Sequence, residues 1–151
     1  MSVSRLRRID LREVRKDEAA DFTPWLQNNL DMLGEELGMK LSAVERNTEV
    51  GAFEADIVAE DAEGSSVVIE NQFGRSDHDH LGKLLTYATN LEARTAIWVC
   101  EEPRPEHAKA VTWLNQSVSG SSFYLAKLDV FRIGESPPAP HFTLIAGPSD
   151  E

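Results

Sequence analysis

The sequence predicts an α/β (α+β) protein, one mixed sheet covered by helices. Three observations predict it. Leu26, Leu30, Leu33 and Leu37 recur at helical spacing and make one apolar stripe. Three strand-like stretches then follow with only short turns between them. Finally, Thr95 to Cys100 is apolar on both faces, as a strand inside a sheet would be. The implied order is α-β-β-β-α-β-α-β-β, and 151 residues suit one domain with its own core.

The first helix is expected from about Thr23 to Leu37. Thr23 can cap it, Pro24 suits its first position, and Gly38 terminates it. Trp25 and Met32 widen the leucine stripe on one flank. Leu41 to Glu49 is the first strand, and Gly51 marks a turn before the second, Phe53 to Glu60. Asp61-Ala62-Glu63-Gly64 signals another turn. Val67 to Phe73 is the third strand, β-branched at its start, so the three form a meander. A second helix begins after Gly74-Arg75, capped by Ser76 or Asp77, and runs to about Leu91. Thr95 to Cys100 then lies parallel to the third strand. Pro105 to Gln116 is the third helix, and Phe123 to Ile133 and Phe142 to Ile145 are late strands. The link Pro137-Pro138-Ala139-Pro140 is stiff and cannot be helical.

Composition sets bounds on function. A single cysteine, Cys100, excludes an internal disulfide framework and a cysteine-rich zinc cluster. No signal peptide is recognisable, and no apolar run nears the ~20 residues of a membrane span, so a cytoplasmic protein is expected. The net charge is −11, yet residues 1–16 carry six basic side chains against two acidic ones. This basic arm, residues 1–21, is expected to precede a domain at 22–147 and a short tail at 148–151. It reads either as a solvated terminus or as an anion-seeking segment presenting Arg7 and Arg8.

The candidate chemistry lies on the second and third strands. Side chains alternate along a strand, so Glu70 and Gln72 share a face and Asn71 takes the other. A tight turn joins this strand to the one carrying Asp56, which brings the two carboxylates together. Both sit among apolar neighbours, where carboxylates are costly unless paired or bound to a cation. Mg²⁺ or Mn²⁺ suits such oxygen ligands. On the second helix His80, Lys83 and Tyr87 fall on one face. The spacing of His78 and His80 does not put both imidazoles on one helical face, which argues against a zinc pair.

Asp56 with Glu70-Asn71-Gln72 resembles the PD-(D/E)xK nuclease superfamily, the restriction-endonuclease-like fold, over roughly residues 22–146. Its core is αβββαβ, with an acidic residue on the first helix, Asp on the second strand and (D/E)-x-K on the third. The run from Val68-Ile69-Glu70-Asn71-Gln72 through Asp77-His78-Asp79-His80-Leu81-Gly82-Lys83 to Thr86-Tyr87-Ala88 is also similar to a group of bacterial proteins in that superfamily. The resemblance implies Asp56 and Glu70 as metal ligands, with Glu35 or Glu36 as the helix-borne acid. The local motif suggests Glu35; helical geometry suggests Glu36, beside Trp25 and Met32.

Gln72 stands where the superfamily has lysine. It keeps a donor and an acceptor but supplies no charge. Members with Gln there are known, and Lys83 is positioned to supply the charge from another element. The expected activity is Mg²⁺- or Mn²⁺-dependent hydrolysis of nucleic acid, DNA before RNA. Asp56, Glu70, Gln72 and Lys83 would be catalytic; His80, Tyr87, Arg7 and Arg8 would bind substrate. A homodimer suits a nuclease that cuts both strands. Two other readings are an inactive module that keeps the fold, and an acidic protein that meets a basic partner.

Overall fold

The structure, a computed structural model, describes residues 1–14 and 21–149. Arg15 and Lys16 of the basic arm, and the end of the tail, lie outside the described residues. The expected sheet is present and, among the described residues, carries seven strands: β1 (Leu6–Ile9), β2 (Ser42–Val50), β3 (Phe53–Glu60), β4 (Ser66–Asn71), β5 (Thr95–Cys100), β6 (Ser122–Ile133) and β7 (Ala139–Ala146). The helices are α1 (Leu11–Val14), α2 (Thr23–Gln27), α3 (Leu30–Leu37), α4 (His78–Asn90) and α5 (Pro105–Ser117).

β2, β3 and β4 form the antiparallel meander. β4, β5 and β6 run parallel, which needs a crossover between successive strands; α4 and α5 supply the two crossovers. β6 is long enough to serve three neighbours. It pairs β5 through Ser122–Lys127, β7 through Leu125–Phe131 and β1 through Val130–Ile133. Each residue has two edges, so β1 must follow β5 along one side of β6 while β7 takes the other.

Alternation along the strands builds two apolar layers. Val67, Ile69, Ile97 and Val99 point to one face and pack with Phe22, Leu26, Leu30 and Leu33 of the α2–α3 segment. Val68, Ala96, Trp98 and Cys100 point to the other and pack with Leu84, Tyr87, Ala88 and Val111 of α4 and α5. Glu70 is in phase with Val68, so it faces the α4 side. Cys100 is a buried thiol in that layer, pushed up to about 12 by its burial.

Several elements differ from the sequence expectation. The helix expected from Thr23 to Leu37 is broken at Asn28–Asn29. Asn29 leaves the helical region (φ −127°, ψ 26°) and its side-chain amide donates to the Trp25 carbonyl at 2.7 Å. Asparagine competes with helical backbone bonding in this way, and here it turns the chain between two short helices. Thr23 is inside α2 rather than capping it; Phe22 holds the cap position, and the Thr23 hydroxyl donates to Asn71 Oδ1 at 3.2 Å. Gly38 ends α3 as expected, at φ 73°.

The arm supplies β1 at the end of the sheet rather than standing apart, and Leu11 behind it is buried. β7 begins earlier than Phe142 and includes Pro140, which is tolerated because, among the described residues, β7 bonds to β6 alone. Among the described residues no helix is long and apolar enough to cross a membrane.

Candidate functional site

Backbone pairing between β3 and β4 runs from Glu60↔Ser66 to Ile57↔Ile69 and stops there. Beyond that point two carboxylates take over. The Asp56 amide donates to Glu70 Oε1 at 3.1 Å, and the Asn71 amide donates to Asp56 Oδ2 at 3.0 Å. Each acidic side chain thus satisfies a backbone N–H of the opposite strand, and the pair occupies the place where the ladder opens. Glu70 is only 2 % exposed, and Asp56 is half-buried.

Burial penalises the charged form of both groups. It pushes Glu70 up to about 9, and the neighbouring Asp56 charge adds to the rise. Burial also raises Asp56, against hydrogen bonds from Asn71 and Glu70 and the positive fields of His80 and Lys83. Burial and their mutual repulsion both favour a proton kept on the pair, and the Lys83 ammonium opposes them.

α4 brings the positive charge. Asp77 caps it, accepting from the His80 amide at 2.8 Å. His80, Lys83 and Tyr87 share the face that bears on the acidic pair: Lys83 acts on both carboxylates, and Tyr87 is buried with its phenol raised by burial and by the Glu70 charge. Lys83 Nζ lies 3.1 Å from Asp79 Oδ2, and that contact, first of several, holds its ammonium above the usual lysine range. His80 Nδ1 is 2.8 Å from Asp77 Oδ1.

Gln72 shares the face of Glu70 but its amide is already engaged. Oε1 accepts from the Trp98 indole at 2.8 Å, and Nε2 donates to the Arg75 carbonyl at 2.7 Å and to Asp77 Oδ2 at 3.4 Å. An indole N–H only donates, so it fixes which end of the amide is oxygen. Gln72 therefore clamps the end of β4 to β5 and to the start of α4. The amide oxygen thus faces Trp98.

Neither helix-borne acid joins the pair. α3 packs on the opposite side of the sheet, with Ile57 and Ile69, which alternate with Asp56 and Glu70. Glu35 lines a cleft beside the Asp61–Glu63 turn, and Glu36 Oε1 accepts from the Leu144 amide at 3.4 Å. The turn lies five strand residues beyond Asp56, roughly 16 Å at ~3.3 Å per residue. Both assignments are therefore corrected: the face, rather than the helix, decides which acid can reach the site.

Arg7 and Arg8 also lie elsewhere. β1 pairs with the far end of β6, past the end of β5 on the same side, whereas the acidic pair stands on β3 and β4. Arg8 pairs with Asp129 at 3.0 Å and lies over the Phe131 ring. Arg7 is exposed, opposite Arg132.

Two features were not legible in the sequence. His107, which carried no recognisable pattern, is buried between Ser76 Oγ (2.6 Å to Nδ1) and His78 Nδ1 (2.8 Å to Nε2), and its burial lowers its proton affinity. This chain ties the start of α4 to α5 and turns His78 away from His80. Asp77, Asp79 and His80 also converge, with ligand atoms within 4.8 Å of one another. Only the folded first turn of α4 brings those three together.

No protein-family model matches the chain, and no curated protein matches it. The fold is similar to that of a repair endonuclease from Pyrococcus abyssi. The likeness has a TM-score of 0.55 at 16 % identity and covers 67 % of this chain and 44 % of that one. This chain thus spans less than half the length of that neighbour. An EndoMS complex with double-stranded DNA (TM-score 0.49, 17 % identity, 69 % of this chain and 44 % of that one) is also similar. So is the SfsA of Pyrococcus furiosus in complex with Ca²⁺ (TM-score 0.42, 13 % identity, 83 % and 64 %). At this identity the likeness to the repair endonuclease shows a shared fold, a mixed sheet flanked by helices.

Proposed function

We propose that the protein hydrolyses phosphodiester bonds of DNA with the help of Mg²⁺ or Mn²⁺ held by Asp56 and Glu70. One observation carries the reading: a buried and a half-buried carboxylate meet where the β3–β4 ladder opens, with a lysine ammonium acting on both. The donor set fits a hard cation, because carboxylate oxygens are hard ligands and the two groups are adjacent. When bound, the cation supplies Lewis acidity and lowers the pKa of water.

The protein's own groups have separable parts. Asp56 and Glu70 must shed their shared proton to act as ligands together. Lys83, held above the usual lysine range, stays cationic and contacts a phosphate oxygen in place of the absent third-strand lysine. Gln72 acts through position: by clamping β4, Trp98 and Asp77 it fixes where Glu70 and the first turn of α4 stand. DNA is placed first because the protein of similar fold is a repair endonuclease.

The test uses purified protein with Mg²⁺ or Mn²⁺ on single- and double-stranded DNA, beside an Asp56→Ala/Glu70→Ala control. Cleavage in the wild type and none in the control is expected. Cleavage that persists in the control removes the site.

The engagement of Gln72 favours a second reading, a module that keeps the fold and binds without cutting. It gives DNA binding with metal present but no product at any enzyme concentration.

A further inference from the structure

α4 carries a glycine in its interior for which neither turn geometry nor packing gives a reason. Gly82 has ordinary helical φ, and a Cβ built on it meets no atom within 4 Å. Glycine there costs about 1 kcal/mol of helix stability relative to alanine. Its surroundings supply a reason. Gly82 lines a cleft of about 310 Å³ with Lys83, Thr86 and Tyr87, and Phe53 forms the other wall. Phe53 opens β3 just after the Gly51 turn and is 60 % exposed.

The cleft adjoins the acidic pair. Lys83 and Tyr87 belong to both, since each lines the cleft and each is coupled to the Glu70 charge. A phosphate drawn to Lys83 and a cation on Asp56 and Glu70 would leave its nucleoside beside the opening. One wall is then an aromatic ring, and the facing helix leaves a gap at Gly82 among His78, Asp79, Lys83, Thr86 and Tyr87. That combination suits a flat aromatic group entering against Phe53.

We propose that this cleft seats one unpaired nucleobase of the DNA strand, stacked on Phe53 and admitted by the missing side chain at Gly82. The inference rests on the nuclease reading for the position of the phosphate. Bases inside a duplex have both faces stacked and cannot enter without leaving the helix. Single-stranded or locally unpaired DNA is therefore the preferred substrate.

The test is binding of a single strand containing 2-aminopurine, with Ca²⁺ as the cation, read by quenching of its fluorescence on stacking. Wild type quenches the signal. Phe53→Ala loses the quenching and binds roughly 5- to 150-fold more weakly, since a base–aromatic stack contributes about 1–3 kcal/mol. Phe53→Trp restores both. Gly82→Leu fills the cleft and abolishes quenching, whereas Gly82→Ala keeps the fold and leaves most of the cleft open. Unchanged quenching in both Phe53→Ala and Gly82→Leu overturns the proposal, as does duplex binding equal to that of the single strand. The readout needs no cleavage, so it separates from the nuclease reading. Quenching with Ca²⁺ but no hydrolysis with Mg²⁺ or Mn²⁺ refutes the activity alone, and hydrolysis without Phe53-dependent quenching refutes the cleft alone.

Discussion

Replacing Glu70 with glutamine should flatten the pH dependence of stability in the metal-free protein. Burial holds the Glu70 carboxyl at about 9 in the fold, against an ordinary value of 4.5. Between those values the folded protein binds a proton that the unfolded chain has released. Stability therefore falls as pH rises through this window, by up to about 1.4 kcal/mol per pH unit for one group, and levels off above the folded value. From roughly pH 6 to pH 8 the loss is at most about 3 kcal/mol, because Asp56 shares the proton and takes part of the change. A glutamine amide is neutral throughout and keeps an oxygen to accept the Asp56 N–H, so the Glu70→Gln protein should lack this slope.

The assay is urea denaturation of both proteins with a chelator present, across that range. Saturating Mn²⁺ should then remove the wild-type slope and leave the variant unaffected, since a ligand that binds only the folded state stabilises it by mass action. Parallel profiles for wild type and Glu70→Gln would refute the reasoning, because they would show that Glu70 ionises in the fold as it does in the unfolded chain.

Other consequences can be measured separately. Metal binding near neutral pH should release about one proton, seen as a dependence of calorimetric heat on buffer ionisation enthalpy; Asp56→Ala should abolish both binding and release. Lys83→Ala should lower the cleavage rate by roughly a hundredfold with the fold intact, as expected on removing one charged donor from a phosphate, and Lys83→Arg should recover part of it. Trp98→Phe leaves Gln72 Oε1 buried without its donor and should cost about 1–3 kcal/mol in thermal or urea unfolding. Gly82→Ala should raise stability by about 0.5–1 kcal/mol, because the added methyl meets nothing and the unfolded chain loses freedom.

Much of the sheet could be read because its signals are local. The Phe53–Glu60 and Thr95–Cys100 strands and the start of α4 at Asp77 follow from turn residues and apolar runs a few residues long. The Asp56–Glu70 pair was legible for the same reason, since alternation and one short turn bring it together. Failures came where partners distant in sequence decide. Nothing near Leu6–Ile9 says that its partner is Val130–Ile133. Periodicity over Leu26 to Leu37 continues through Asn28–Asn29, although the chain bends there. Glu35 and Glu36 satisfied the pattern of a helix-borne acid, but which side of the sheet α3 would cover is a tertiary choice. The bond between Gln72 and Trp98 joins two strands that pair only after α4 has crossed over.

The Trp98 clamp also changes how the glutamine substitution should be understood. A lysine at position 72 would set its ammonium against the indole N–H, donor against donor, inside a layer where Trp98 is fully buried. It would find the Arg75 carbonyl and Asp77 carboxylate as acceptors but would leave the indole unpaired. Gln72→Lys is therefore expected to lose about 1–3 kcal/mol of stability rather than to gain activity, for the same unsatisfied-donor reason as Trp98→Phe. Gln72→Lys combined with Trp98→Phe removes the conflict, so the pair of changes should cost less than the sum of the two alone. A double-mutant cycle in urea measures that coupling. If the two costs add, the glutamine and the indole are not partners, and the amide is free to face the carboxylates. If they couple, the amide is committed to the indole, and under the proposed activity Lys83, whose charge acts on both carboxylates, is the residue left to meet a phosphate.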